Sequence, residues 1–149
     1  MKQKIALACD HRGYDYKETL KAWLTSKGYE PVDCGAFSGE SCDYPDYMFK
    51  AGELVAKGEC VKGIGICHSG IGSAIAANKV PGVRAALCQN AEQAQLSRQH
   101  NDANMLILGS HYVAPDALIH LVETWLTTPF EGGRHDRRVD KIRNYERHC

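Results

Sequence analysis

The chain has 149 residues, 44% hydrophobic and 24% charged, with 18 basic side chains balanced by 18 acidic ones. That length points to one domain over residues 1–149, with a core large enough to fold without disulfides or metal. Zero formal charge argues against a general nucleic-acid binder, no apolar run reaches the roughly 18–20 residues of a membrane span, and the first residues read as a strand rather than a signal peptide.

Apolar runs of strand length alternate with helical patterns along the chain. Lys4 to Cys9 (KIALAC) reads as the first strand. A helix from Tyr14 to Lys27 follows, with Leu20, Trp23 and Leu24 on one face and Gly28 as its stop. Glu30 to Cys34 is a short second strand. Gly35 to Asp43 is a polar loop ending at Asp43-Tyr44-Pro45, before a helix from about Asp46 to Lys57. Gly63 to Cys67 (GIGIC) is the third strand, and the tight loop His68-Ser69-Gly70-Ile71-Gly72 leads into an Ala-rich helix from about Ser73 to Asn78. Val83 to Cys88 is the fourth strand, with a helix from Ala91 to His100 after it. Met105 to Leu108 is the fifth strand, followed by a long helix from about Pro115 to Leu126. Arg134 to Glu146 forms a polar closing helix.

Strand and helix in strict alternation predict a doubly wound α/β domain, with a parallel sheet buried on both faces. Ligands in such folds sit at the carboxyl ends of the strands. The residues to consider there are Cys9-Asp10-His11, Cys34-Gly35, Cys67 to Gly72, Cys88-Gln89-Asn90 and Gly109-Ser110-His111.

Cysteines stand at positions 9, 34, 42, 60, 67, 88 and 149, an odd number with no Cys-x-x-Cys spacing. This predicts a reduced, cytoplasmic chain whose thiols are mostly small core groups. Cys67 differs from the other six. Gly70 and Gly72 let the following backbone turn its amides toward one point, and the next helix adds its positive end. Such a nest supports an anion and favours a thiolate on Cys67. Familiar phosphate loops fail here. A Cys-x5-Arg loop would need arginine where Ser73 stands, a dinucleotide fingerprint from Gly63 would need glycine at His68, and no Walker or Gly-x-Ser-x-Gly pattern occurs.

Asp10-His11 should lie at the same sheet edge as Cys67. Gln99-His100-Asn101-Asp102 reads as an ordinary helix C-terminus unless it converges with Cys67. Asp43-Tyr44-Pro45 fits the start of a helix. Residues 134–149 hold six basic and three acidic side chains, against twelve and fifteen in residues 1–133. Arg134 and Arg138 share a helical face beside His135, which fits a solvated face, a phosphate clamp or a helix docked on a second subunit.

With these motifs assembled, the chain resembles the type B ribose-5-phosphate isomerases, in the family shared with galactose-6-phosphate isomerase subunits. The resemblance runs through Cys9-Asp10-His11 with Gly13, Asp43-Tyr44-Pro45, and Gly63 to Cys67 followed by Gly70-x-Gly72. It continues through Ile75 to Lys79, Val83-Arg84-Ala85, Ser97 to Asn104, and Gly132-Gly133-Arg134-His135 with Arg138. It implies a Rossmann-like αβα sandwich assembled as a homodimer or homotetramer, with sites at the subunit interface and the C-terminal helix extending to a partner. Cys67 would be the base moving a proton between C1 and C2 of an open-chain sugar phosphate. Ser69, the amides of Gly70, Gly72 and Ser73, and Asn101 would hold the enediolate oxygens. His100 with Asp10 would open the furanose ring, His11, Arg134 and Arg138 would bind phosphate, and Tyr44 would line the sugar pocket. The family needs neither metal nor nucleotide.

Three positions depart from the family pattern. His68 stands where the common loop has glycine, and His111 where many members carry arginine; Ser69 replaces threonine but keeps the hydroxyl. Ribose 5-phosphate is the expected substrate, with allose or galactose 6-phosphate or a tetrose phosphate as alternatives set by His68 and His111. Other readings are a non-catalytic sugar-phosphate-binding subunit and a flavodoxin-like nucleotide or flavin binder, the latter supported by fold class alone.

Overall fold

A computed structural model describes residues 1–149. Five strands form one all-parallel sheet: β1 (Lys4–Cys9), β2 (Glu30–Asp33), β3 (Lys62–Cys67), β4 (Ala85–Leu87) and β5 (Met105–Gly109). Their order across the sheet is β2-β1-β3-β5-β4. The helices are α1 (Tyr14–Ser26), α2 (Tyr44–Ala56), α3 (Ile71–Asn78), α4 (Ala91–Asn101), α5 (Leu118–Thr127) and α6 (Arg134–Glu146). The sheet is the parallel one of the doubly wound α/β domain that the alternation of elements predicted, and the whole is the Rossmann-like αβα sandwich that the resemblance implied. No helix is long and apolar enough to cross a membrane.

The two-residue period of a strand sorts its side chains between the helical layers. Ile5, Leu7 and Cys9 of β1 and Leu106 and Leu108 of β5 pack with Leu20 and Leu24 of α1 and with Leu121, Val122 and Trp125 of α5. Ala6, Ala8, Met105 and Ile107 face the opposite layer, against Met48, Ala51 and Val55 of α2 and Ala76 and Ala77 of α3. The glycines of β3 follow the same logic. A Cβ on Gly65 would lie 2.5 Å from Met48 Sδ, and one on Gly63 would lie 3.1 Å from Val55 Cγ2. Glycine at alternate positions lets α2 sit close against the central strand.

Several boundaries differ from the sequence reading. The long helix expected from Pro115 is a 3-10 turn, Pro115–Ala117, followed by α5 from Leu118. The fourth strand shortens to Ala85–Leu87, because its outer side has no neighbour and pairs only with β5. Helix α2 begins two residues early at Tyr44, since Pro45 in the first turn lacks only an N–H that would go unused there. Helix α3 likewise begins at Ile71, within the expected loop.

One polar group is buried deep in this frame. Lys17 is 1% exposed, and its Nζ donates to both oxygens of Asp33 at 2.7 Å. Lys21 adds a second donor at 3.0 Å. Burial pushes the Asp33 carboxyl up, but the hydrogen bonds from Lys17, Lys21 and the Gly35 N–H outweigh it and leave it below the usual carboxylate range.

Candidate active site

From β1 the chain goes to β2 on one side and, later, to β3 on the other, so the direction of winding reverses between β1 and β3. In an open α/β sheet the crevice at the carboxyl end of such a point is where ligands bind. Here it holds Asp10 and His11 from β1 and Cys67 from β3. The two segments are tightly apposed: Asp10 N–H donates to the Ile66 carbonyl at 3.2 Å, and a Cβ on Gly13 would lie 2.5 Å from the same oxygen. The Asp10 carboxylate accepts the Arg12 N–H at 2.9 Å, which fixes the turn bearing His11.

Cys67 is 5% exposed. The Gly70 N–H donates to its Sγ at 3.2 Å, which places a fixed dipole where it supports negative charge on sulfur. Gly70 has φ +79°, a conformation that L side chains disfavour, and it caps α3. Ser69 Oγ accepts the Ile71 N–H at 3.2 Å. The Ser73 hydroxyl is fully buried with no protein partner, an unpaired polar group in the first turn of α3. Tyr44 lies against this nest: a Cβ on Gly72 would run into the Tyr44 ring and hydroxyl. His11 Nδ1 accepts the Cys42 N–H at 3.3 Å. The predicted residues Asp10, His11, Tyr44, Cys67, Ser69, Gly70, Gly72 and Ser73 therefore belong to one edge of the sheet.

His68 and His111 belong to the same edge and touch. Their ring centroids are 4.9 Å apart and tilted by 35°, and the His111 N–H donates to the His68 carbonyl at 3.0 Å. The Tyr112 ring meets His111 edge-on. The two histidine departures from the family pattern thus form one exposed imidazole pair beside Cys67.

The remaining predicted residues gather elsewhere. His100, Asn101, Arg134 and Arg138 line an open hollow of about 460 Å³ together with His135. They follow from the opposite end of the sheet: Asn104, just after α4, gives its carbonyl to the Gly63 N–H, and Gly63 precedes Cys67 by four residues. At about 3.3 Å per residue, that places the two ends of the strand about 13 Å apart. Within one chain, His100 and Asn101 do not converge with Cys67 and Asp10.

This second cluster has its own support. His100 and His135 stack at 4.3 Å with 14° between ring planes, and His135 Nε2 lies 3.7 Å from Glu131 Oε2. Burial, then His100 and Arg134, push the His135 imidazole below its usual value. Asp102 caps α4 in the left-handed region, at φ 47°. Its carboxylate meets Arg98 at 2.9 Å, Arg84 at 3.4 Å and Arg143 of α6 at 3.8 Å. Asp102 read only as part of a helix end, because two of its three arginines, Arg84 and Arg143, come from distant segments; Glu131 was not singled out although its partner His135 is only four residues on, and Gly-Gly-Arg-His was the local sign of His135. His100, Glu131 and His135 are also the side chains closest to a metal-ligand set, with ligand atoms within 4.8 Å of one another. The guanidinium groups of Arg134 and Arg138 in the same hollow suit an anion better than a cation.

The other cysteines are packing groups or surface thiols. Burial pushes the Cys9 thiol up to about 12 and Cys34 up to about 11, and it raises Cys60 and Cys88. All seven thiols are free.

A family model described as Ribose/Galactose Isomerase matches residues 5–142. The chain is 46% identical over 140 residues to ribose-5-phosphate isomerase B of Escherichia coli K12, covering 94% of each chain. Among solved structures, it superposes on Clostridium thermocellum ribose-5-phosphate isomerase B with a TM-score of 0.96 and 49% identity, covering 98% of this chain and 99% of that one. It also superposes on the Mycoplasma genitalium ribose-5-phosphate isomerase B with bound ribulose-5-phosphate, with a TM-score of 0.96 and 41% identity, covering 100% and 99%.

Proposed function

The chain belongs to the ribose/galactose isomerase family, and we propose that it is an aldose–ketose isomerase interconverting ribose 5-phosphate and ribulose 5-phosphate. The observation that carries this reading is a cysteine sulfur at the switch point with an amide N–H directed onto it, beside a nest with an unpartnered buried hydroxyl.

The reaction moves one proton between adjacent carbons. Cys67 as thiolate removes the proton from C2 of the open-chain aldose, and the electron pair moves into a C1–C2 double bond as the C1 carbonyl oxygen becomes an oxyanion. The nest amides, Ser69 and Ser73 stabilise that enediolate, the charge that develops only along the reaction. The thiol then returns its proton to C1, and loss of the O2 proton with its transfer to O1 completes the ketose. Asp10 and His100 assist ring opening by proton transfer. His11, Arg134 and Arg138 hold the phosphate, whose binding positions the reacting carbons. No metal or nucleotide enters this scheme.

On this reading the working unit is a homodimer, or a tetramer built from dimers, in the cytoplasm. The separation of the two clusters supports it: His100, Asn101, Arg134 and Arg138 reach the Cys67 edge only if a second copy supplies them. Helix α6 supports it too. Only His135 and Val139 of that helix are buried, while Ile142 and Tyr145 are exposed apolar groups able to meet a partner.

His68 and His111 bear on which sugar is preferred. Aldose phosphates of four to six carbons, followed for ketose formation with the wild type and His68→Gly, test both levels. Turnover of ribose 5-phosphate supports the assignment, and a shifted ranking in the variant assigns His68 to specificity. Binding of sugar phosphates without any turnover would leave only the non-catalytic reading.

A further inference from the structure

We infer that the main-chain N–H of Cys42 sets the tautomer of His11 and so makes Nε2–H a preset hydrogen-bond donor toward the anionic end of the ligand. A nitrogen of imidazole accepts a hydrogen bond only when it carries no proton. Because His11 Nδ1 accepts the Cys42 N–H at 3.3 Å, the proton of the neutral ring resides on Nε2. The opposite tautomer would set N–H against N–H.

Both ends of this hydrogen bond are anchored. His11 follows Asp10 in a turn closed by the Arg12 N–H on the Asp10 carboxylate. Cys42 lies near the end of the β2–α2 loop, half-buried against the core. That loop is tied to β1 at its start, where Cys9 N–H donates to the Gly35 carbonyl at 2.7 Å and Ala36 N–H donates to the Cys9 carbonyl at 2.8 Å. The Gly35 N–H also donates to Asp33 Oδ1 at 2.9 Å, on the carboxylate held by Lys17 and Lys21. The buried ion pair thereby fixes the start of the loop whose far end orients His11. Cys42 is a positioning residue that acts through its backbone, so its thiol is dispensable and its N–H is not.

The identity of the ligand's anionic end as a phosphate rests on the proposed function; the tautomer does not. Nitrogen-15 NMR of the histidine rings in the purified full chain at mildly alkaline pH, assigned with His11→Gln, reads the tautomer directly. The expected result is a protonated Nε2 and an unprotonated Nδ1 at His11; the reverse pattern overturns the inference. Cys42→Ala keeps the N–H and should leave the tautomer, KM and kcat unchanged. Cys42→Pro removes it and should raise KM, and the inhibition constant of inorganic phosphate with it, by about threefold to tenfold at nearly constant kcat. Equal damage from alanine and proline would assign the effect to the thiol and refute the backbone role. A wild type without isomerase activity would defeat the proposed function while the NMR result still stood.

Discussion

Replacing Gly70 by alanine tests the link between backbone conformation and chemistry. At φ +79°, alanine carries a left-handed strain of about 1–2 kcal/mol. Its Cβ would lie 2.5 Å from Leu87 Cδ1, a side-chain end that can move. It would also lie 3.1 Å from Gly109 N and Leu108 C, main-chain atoms of the interior strand β5 that cannot move without breaking its ladder. Overpacking of that kind costs about 1–3 kcal/mol, offset by about 0.4–1 kcal/mol from the stiffer unfolded chain. The net loss is about 1–4.6 kcal/mol, which corresponds to a fall in Tm of roughly 2–18 °C for a chain of this size. Relief of the contact pushes the turn away from β5 and carries the Gly70 N–H off the Cys67 sulfur. Loss of a donor of this class lowers turnover about 10²–10³-fold. Urea unfolding measures the first effect and a coupled isomerase assay the second. A variant within threefold of wild-type turnover and 0.5 kcal/mol of its stability (roughly the margin of such measurements) would refute the argument that this turn supports the reacting sulfur.

Cys67→Ala should abolish isomerisation while leaving the circular dichroism spectrum and unfolding midpoint near wild type; near-normal turnover would remove Cys67 from the mechanism. If the site is shared between subunits, Cys67→Ala and the Arg134→Ala/Arg138→Ala double variant should each be inactive alone. Co-refolded in equal amounts they should recover about a quarter of wild-type activity, since half the dimers are mixed and each holds one intact site; no recovery would count against the shared site. The Asp33 carboxyl has a folded-state value below its unfolded one. Its contribution is therefore present above the unfolded value of about 3.9 and is lost as pH falls through the lower folded value. The stability difference between wild type and Asp33→Asn, measured by urea unfolding, should accordingly be largest above pH about 4 and shrink below it; a constant difference would show that the charge is not its source.

The fold class was legible because β1, β3 and β5 are short, almost wholly buried apolar runs closed by a glycine or a polar turn, whereas the edge strand β2 (EPVD) carries little apolar signal. The boundaries that slipped are those where tertiary context decides. Val83 and Cys88 are as apolar as the strand between them, but β4 is an edge strand and ends where its pairing with β5 ends. The order β2-β1-β3-β5-β4 lies outside any periodicity, since pairing partners are distant in sequence. The Cys67 loop was legible for the opposite reason: its glycines, serine and cysteine are contiguous, and their chemistry is local. Nothing local marks Lys17 for burial: it is buried because Asp33, sixteen residues on, neutralises it. Likewise, nothing near Cys42 in sequence announces His11, and Asp102 gains its meaning from arginines on three separate segments.

The uneven charge of the chain acquires a mechanical sense on the shared-site reading. Around Cys67 one subunit offers few cations: the exposed Arg12 stands near Asp10, while His11, His68 and His111 carry charge only when protonated. A phosphate dianion would be weakly held there. The guanidinium groups suited to it, Arg134 and Arg138, project from an exposed helix about a strand's length away, fixed to the end of α4 through the Arg143–Asp102 pair. A two-fold axis that brings that helix to the Cys67 edge of a second copy must also bring the second copy's helix to the first, because such an interface is isologous. Each chain would then contribute a base to one site and a phosphate clamp to the other. Proton transfer and phosphate recognition become separable by chain as well as by residue, and neither is complete in a lone subunit.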